Sequence, residues 1–467
     1  MCAKRIVPKR IAVVGGGISG LAAAHRLVEL CGNSAEITLL EAGSRLGGTI
    51  QTEQRDGFLL ERGPDSFISE KPEAVALAKR LGLESRLIQT NEQFRRSFIV
   101  RNGRLRPVPE GFQLLAPSRI LPFLTTDIFS LTGKIRMAAD LVLPRRNGQN
   151  DESLASFVRR RLGQEALLRM AQPMVGGIYT ADPETLSLRA TLPRFLDMER
   201  NHRSVILAMM RQGHAQKSGT SGARYSLFLS FDSGMDVLVN TLASKLPNVH
   251  LQTRIEKLAF ESGTWLIRSD AGSTIEADAV CLALPAYIAA RLLEKINPQL
   301  AAQLGAINYA STATINFAYP RAAISHPLNG FGFVVPFVEK RSVLACTFSS
   351  VKFNGRAPDD HVLLRAFAGG ALQPEIFASP DMERRIEADL RELLGITGEP
   401  LFKEAAKWER SMPQYEVGHL DRVQAIENEV RAMPGLALAG NSYRGAGIPD
   451  CIRSGEAAAE SLVNFAA

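Results

Sequence analysis

Ile11-Ala12-Val13-Val14-Gly15-Gly16-Gly17-Ile18-Ser19-Gly20 opens the stretch that decides the fold, and that stretch runs on to Glu41. Four apolar residues predict a buried strand. The run from Leu21 to about Leu30 predicts a helix, and Ile37-Thr38-Leu39-Leu40 a second strand ending on Glu41. Strand, glycine turn, helix and strand in this order make a dinucleotide-binding βαβ unit. Gly15 lets the chain turn sharply, Gly17 lets backbone N–H groups approach a pyrophosphate, and Gly20 allows close helix–strand packing. The helix N-terminus turns its unpaired N–H groups toward the phosphates. Glu41 lies 21 residues beyond Gly20, where a carboxylate would grip ribose hydroxyls. A lone G-x-G-x-x-G is weak evidence; with its strand, helix and acid in place it is strong.

Around this unit, composition narrows the class. A chain of 467 residues exceeds what one core usually holds, so about two or three domains are expected. The formal charge of +7 favours acidic ligands or an anionic membrane surface over a nucleic-acid role. Cys2, Cys31, Cys281, Cys346 and Cys451 are scattered with no C-x-x-C, which argues against a disulfide framework or zinc site and fits a reducing cytosol. The seven histidines form no H-x-x-x-H pair, so no protein-bound metal is expected. The apolar run after the basic start is about four residues long, short of the roughly 7–15 of a signal peptide. Nothing approaches the roughly 18 apolar residues of a transmembrane helix.

Further along, glycine doublets and Gly-Pro mark loops at Arg45-Leu46-Gly47-Gly48 and Gly63-Pro64-Asp65-Ser66, flanking a strand pair around Ile50 to Leu60. Lys71 to Leu83 reads as a helix, and Ser97 to Val108 as a hairpin turning at Asn102-Gly103, beside several arginines. Gly111 to Pro144 is apolar with basic neighbours, including Lys134, Arg136, Arg145 and Arg146. It suits either helices at a bilayer interface or a helical core. Asp151 to Ala171 reads as one amphipathic helix, and Asp182-Pro183-Glu184 as the cap and first turn of another. Residues 211 to 224 read as a surface loop. Val249 to Glu256 reads as a strand, followed by a hairpin over Thr264 to Ala277 and a buried strand from Ala279. Ala313 to Gly369 is β-rich, its Phe317, Tyr319, Phe331, Phe333, Phe337, Phe348 and Phe367 suited to core or to the wall of an apolar pocket. The tail repeats strand, glycine loop and helix from about Ile448, which can set a second helix N-terminus against the same ligand.

The nucleotide fold, the Arg-x-Gly-Gly after its acid and the terminal glycine-loop helix together resemble the flavin amine oxidase superfamily over essentially the whole chain. Within it, the chain is most similar to the oxygen-dependent, FAD-containing protoporphyrinogen oxidase family. The stretches that carry this are Gly57 to Phe67, Gly176 to Pro183, Phe331 to Pro336, Met412 to His419 and Gly440 to Arg453. The implied architecture is α/β: a Rossmann-like FAD domain from 1–90, 225–300 and 405–467, a helical membrane-associating subdomain over 91–210 and a β-rich substrate domain over 301–404.

The resemblance implies FAD as cofactor. Gly15, Gly16, Gly17, Ile18, Ser19 and Gly20 would hold its pyrophosphate and Glu41 its ribose, while Ile255 would meet the adenine. Arg45, Gly48, Gly63, Pro64, Asp65 and Ser66 would line the ribityl and ring region, with Trp408 beside the flavin and Gly447, Ile448 and Pro449 at the closing helix start. The implied reaction is removal of six electrons from a porphyrinogen in three two-electron steps, with hydride passed to the flavin and O2 reoxidising it to give H2O2. Solvent, or a Gly176 or Gly177 carbonyl, would take the protons. Arg96 would bind a propionate, Phe367 would stack on the macrocycle, and Val334 and Thr347 would form a wall. Thr347 departs from the family's bulky aliphatic. The resemblance puts protoporphyrinogen IX first as substrate, with coproporphyrinogen III as the alternative and the substrate of another flavin amine-oxidase-type oxidase as a more remote one. The family is usually a homodimer peripherally attached to a membrane, which would place this chain in the cytoplasm or on a membrane face.

Overall fold

The computed structural model describes residues 9–148, 150–215 and 227–466. The opening stretch forms β1 (Lys9–Val14), α1 (Ile18–Cys31) and β2 (Ala35–Leu40), with helix and strands each starting two or three residues earlier than the sequence pattern indicated. They lie in a five-stranded parallel sheet, ordered Asn248–His250, β2, β1, Ala279–Leu282, Leu436–Leu438. Alternation along β1 explains its central place. Ile11 and Val13 enter a core with α1 and the C-terminal helix Ile448–Ala466. Ala12 and Val14 enter the opposite core, under the antiparallel strands of residues 255–277 and the helices Ala286–Leu293, Pro298–Gly305 and His419–Arg431. A strand buried on both faces must be apolar throughout, as β1 is.

The second sheet has seven strands, ordered Phe402–Pro413, Tyr309–Pro320, His361–Gly369, Ala345–Phe348, Gly332–Val334, Ser97–Arg101, Arg104–Pro107. The arginine-rich hairpin therefore extends the β-rich sheet, as does part of the C-terminal segment. One face packs on helix Met382–Leu394 and buries Phe317, Tyr319, Phe333 and Phe348. These four aromatics are core and do not wall a pocket; Phe337 is exposed, Phe331 is half-buried, and Phe367 points to the other face with its strand neighbour Arg365. That second face meets the backbone of Glu61–Gly63 at one end and a helical unit at the other.

The helical unit has its own core, from Leu115 to Met209 with Ile99 and Tyr415. The single helix expected over 151–171 is instead broken. Leu154–Arg161 ends where Gly163 takes φ +94, and the Arg136 guanidinium caps it by donating to the carbonyls of Arg159, Arg160 and Arg161 at 2.8–3.2 Å. A β-carbon on Gly163 would stand 2.5 Å from Arg136 Cγ. The chain restarts through a π turn (Leu167–Ala171) into helix Gln172–Tyr179. Asp182 starts no helix: its Oδ1 accepts the Glu184 N–H at 2.9 Å in a turn, and Ser187 caps the next helix, Leu188–Thr191. The strand expected over 249–256 is two strands, parted where Gln252 takes positive φ and the N–H groups of Gln252 and Thr253 turn aside to the carbonyls of Gly43 and Glu41. Of the loop expected at 211–224, residues 211–215 finish helix Val205–Ala215 and the remainder lies outside the described residues. No described helix is long and apolar enough to cross a membrane.

Candidate active site

The glycine loop is closed on its protein side and open at one point. Gly15 has φ +108, and a β-carbon there would lie 2.3 Å from the Ala283 carbonyl oxygen; one on Gly20 would lie 1.8 Å from that of Gly15. One on Gly16 would strike Leu46 at 2.5 Å, whereas one on Gly17 would meet nothing within 4 Å. Gly17 also caps α1 with no side chain over the first-turn N–H groups and no acid among Ile18, Ser19 and Gly20. A helix end bare of caps and open only at Gly17 fits a pyrophosphate.

Glu41 ends β2 beside this loop. Its carboxylate accepts the N–H groups of Gly16 and Gly43, each at 2.6 Å, which fixes it at the mouth of the cradle. The bonds from Gln252 and Thr253 lead the chain past Glu41 and the exposed Arg254 to Ile255, which is buried. Arg45 is a clamp: its guanidinium donates to the carbonyls of Leu46, Ile50 and Gly48 at 2.6–2.9 Å. This folds the second glycine loop onto the first, Gly47 bridging Gly17 and a β-carbon on Gly48 (φ +60) meeting Gly17 Cα at 3.2 Å.

From there the segment Glu61–Ser66 is stapled flat on the seven-stranded sheet. Asn316 Nδ2 donates to Glu61 O at 3.2 Å, and Thr314 Oγ1 and Trp408 Nε1 donate to Arg62 O at 2.5 and 2.9 Å. Arg365 donates to Gly63 O. Gly63 has no room for a side chain, with Thr49 O 1.7 Å from a β-carbon there, and Pro64 follows. Trp408 is half-buried and fixed by this bond, while Trp265 is a core anchor bonded to Pro434 O. The side chains of Asp65 and Ser66 meet Lys352, whose ammonium lies 3.0–3.1 Å from both Asp65 oxygens and 3.0 Å from Ser66 Oγ.

At the far end of the chain, Gly447-Ile448-Pro449 opens the last helix. Asp450 is buried there between Lys71 at 2.5 Å and Arg453 at 2.6 Å. A β-carbon on Gly455, two turns in, would lie 2.1 Å from Ser19 O, so the first and last helices cross in contact near the cradle. Gly455 carries no motif, and its need is visible only once both helices are placed.

The substrate-side candidates gather along the same sheet face. Phe367 pairs with Ala345, which pairs with Val334; Arg365 pairs with Thr347, which pairs with Gly332. Directly paired residues share a face, so Phe367, Val334 and Thr347 form one half-buried patch. Helix Gln172–Tyr179 lies over it, with Val334 Cγ1 3.8 Å from where a Gly177 β-carbon would be. The Gly176 carbonyl already accepts the Thr180 N–H at 2.9 Å, which leaves Gly177 as the freer of the two. Arg96 stands at the edge of this patch, its own carbonyl accepting the Phe331 N–H at 2.7 Å and its exposed guanidinium bonded to no other described residue.

The family profile "Flavin containing amine oxidoreductase" matches residues 18–463. A Bacillus subtilis protein named coproporphyrinogen III oxidase is 35% identical over 468 residues, covering 98% of both chains. Protoporphyrinogen oxidase 2 of Arabidopsis thaliana is 28% identical, covering 98% of this chain and 94% of its own. A crystal structure from Exiguobacterium sp. 255-15, described in terms of protoporphyrinogen oxidase, superposes with a TM-score of 0.87 at 33% identity over 98% of this chain and 99% of that one. The chain belongs to the flavin-containing amine oxidoreductase family. It is an FAD-dependent oxidase, and the cradle described above has the shape that cofactor needs.

Proposed function

We propose that the chain oxidises a porphyrinogen to the corresponding porphyrin, with O2 as final acceptor and H2O2 released, and that coproporphyrinogen III is the preferred substrate. Protoporphyrinogen IX, placed first on sequence resemblance alone, becomes the second reading. Two observations support this order: the relatives at 32–35% identity carry the coproporphyrinogen name, and Arg95 and Arg96, just before strand Ser97–Arg101, are exposed to solvent. Coproporphyrinogen III has four carboxylates to protoporphyrinogen's two, so more rim cations suit it.

FAD supplies the two-electron oxidising power when bound. Phe367 and Val334 offer an apolar wall that a macrocycle can lie against and that keeps water from its face. Helix Gln172–Tyr179 would cover the other side without side chains at Gly176 and Gly177, and the Gly177 carbonyl oxygen would accept a pyrrole N–H. Arg96 pairs with a propionate and sets the orientation of the ring. The observation that carries the reading is this slot of Phe367, Val334 and Gly177, with Arg96 at its edge.

Both porphyrinogens should be assayed side by side on wild type and Arg96→Ala. The expected result is higher kcat/KM for coproporphyrinogen III and a KM raised about tenfold or more in the variant, as losing a charged hydrogen bond of ~1.5–3 kcal/mol would do. Equal KM values in both proteins would remove Arg96 from the site. A preference for protoporphyrinogen IX would reverse the order of substrates.

A further inference from the structure

Beneath the ring-side segment lies a buried charge cluster that substrate binding does not use. Lys352 reaches both oxygens of Asp65, and Arg365 lies 3.5 Å from Asp65 Oδ2 while donating to Gly63 O. The guanidinium of Arg365 stacks 4.7 Å over the Phe367 ring, tying the cluster to the proposed substrate wall. Glu61 and Arg356 extend it: Glu61 accepts from Met235 N and Thr52 Oγ1, and Arg356 donates to Ser230 Oγ and the carbonyls of Phe231 and Asp232. Side-chain exposure is 11% for Lys352, 4% for Arg365 and 15% for Asp65, so water screens none of them well.

The charges do not balance. Lys352, Arg356 and Arg365 face Asp65 and Glu61, with Asp232 also near Arg356 but already paired to Arg86, and burial opposes the charge on all three cations. Arg62 next door is matched by Glu53 and Glu404 and adds no deficit. The Arg365 Nε–H is itself buried without a hydrogen-bond partner. An uncompensated buried cation is costly unless negative charge is supplied nearby. Gly63 to Ser66 is the segment expected to line the flavin ring, and a two-electron acceptor gains negative charge when reduced.

We infer that the Asp65–Lys352–Arg365 cluster tunes the cofactor, its excess positive charge making bound FAD easier to reduce. Lys352 and Arg365 are positioning residues here, acting on the ring through the field across Gly63 and Asp65. The inference rests on FAD lying against Gly63–Ser66. The redox step is unchanged by it: substrate is oxidised, FAD is reduced, and only the balance of that exchange moves.

The test is the midpoint potential of bound FAD in three variants, read by spectrophotometric titration. Lys352→Met should lower the potential by at least tenfold in the reduction equilibrium, about 30 mV for a two-electron couple. Asp65→Asn should raise it, because it removes the carboxylate that offsets the two cations. Asp65→Asn with Lys352→Met should return it toward wild type, and this pair guards against a single variant that fails to fold with a charge left unpaired. Opposite signs for the two single changes distinguish electrostatic tuning from loosened packing, which would move both the same way. Potentials that stay put, or move together, would overturn the inference. Loss of activity toward both porphyrinogens with the opposite-signed shifts intact would overturn the substrate reading and leave this one standing.

Discussion

Glu61 shows at the scale of one residue what the fold imposes on a polar group. Its carboxyl is 3% exposed, and desolvation pushes its pKa up to about 7 against the pull of the Met235 N–H and Thr52 hydroxyl bonds. A carboxyl raised on folding binds its proton more tightly in the native state. Its contribution to stability is therefore full below the ordinary value near 4.5 and is lost as pH rises through about 7. Asp65 works in the opposite sense. Burial alone would raise it, but Lys352 and Arg365 outweigh burial and hold it well below the usual carboxylate range, so its contribution is lost only in strong acid. Comparing the melting temperature of wild type and Glu61→Gln from pH 5 to 8 isolates the first effect. The wild type should lose stability relative to the variant across that window, and parallel curves would show that Glu61 does not titrate there. Arg365 is a lone charge in the apolar run His361-Val362-Leu363-Leu364-Arg365-Ala366-Phe367, and a charge in a buried strand demands a partner.

At the scale of elements, the βαβ unit was legible because its constraints are local. Gly15 needs positive φ at a tight turn, and Gly20 needs contact with the Gly15 carbonyl five residues before it, although Gly15 also packs on the distant Ala283 carbonyl. The misread elements were decided by distant partners. Gly163 ends a helix that periodicity alone would continue, because the Arg136 side chain occupies its β-carbon site and caps the carbonyls. Phe317, Tyr319, Phe333 and Phe348 went to the core because helix Met382–Leu394 covers that face, which no local pattern states. Of the candidate site residues, Gly15, Gly17, Gly20 and Glu41 followed from spacing. Arg96, Phe367 and Trp408 needed the family resemblance, and Lys352 and Gly455 needed coordinates. Gly455 gives the sharpest test at this scale. Its missing side chain sets the distance between the first and last helices, and Gly455→Ala would press a methyl 2.1 Å from Ser19 O. Backbone has little room to yield here, so the variant should lose ~1–3 kcal/mol of stability by denaturant unfolding. FAD occupancy should fall with it, since Ser19 belongs to the cradle. A variant with wild-type stability would mean that the two helices are free to part.

Across the whole molecule, the helical unit leaves an uncovered apolar face. Ile120, Leu121 and Leu124 on one helix and Leu131 and Ile135 on the next are 55–74% exposed, and Leu141 and Val142 follow at 41% and 73%. The same helices bury Phe123 and Met137, so the exposed side chains are the outward half of two properly packed amphipathic elements. Soluble monomers rarely present so many large apolar side chains together, and each such cluster marks a partner or a membrane. Two of the neighbouring basic groups are committed elsewhere: Lys134 donates to the carbonyls of Leu124 and Thr126, and Arg136 caps the helix Leu154–Arg161. Apolar insertion therefore carries the proposed membrane contact, with charge attraction a smaller share, so the contact should survive moderate salt. Sedimentation with anionic lipid vesicles should carry the wild type down at low salt and largely still do so at 0.5 M. Leu121→Glu with Leu131→Glu should stay in solution, since each places a charge where side chains would enter hydrocarbon. Porphyrinogen oxidation in the absence of lipid should be unchanged in that variant, because neither residue touches the slot beside Phe367. If the wild type ignores the vesicles while the paired change converts a dimer to a monomer, the face is a contact between two copies of the chain and the membrane assignment falls.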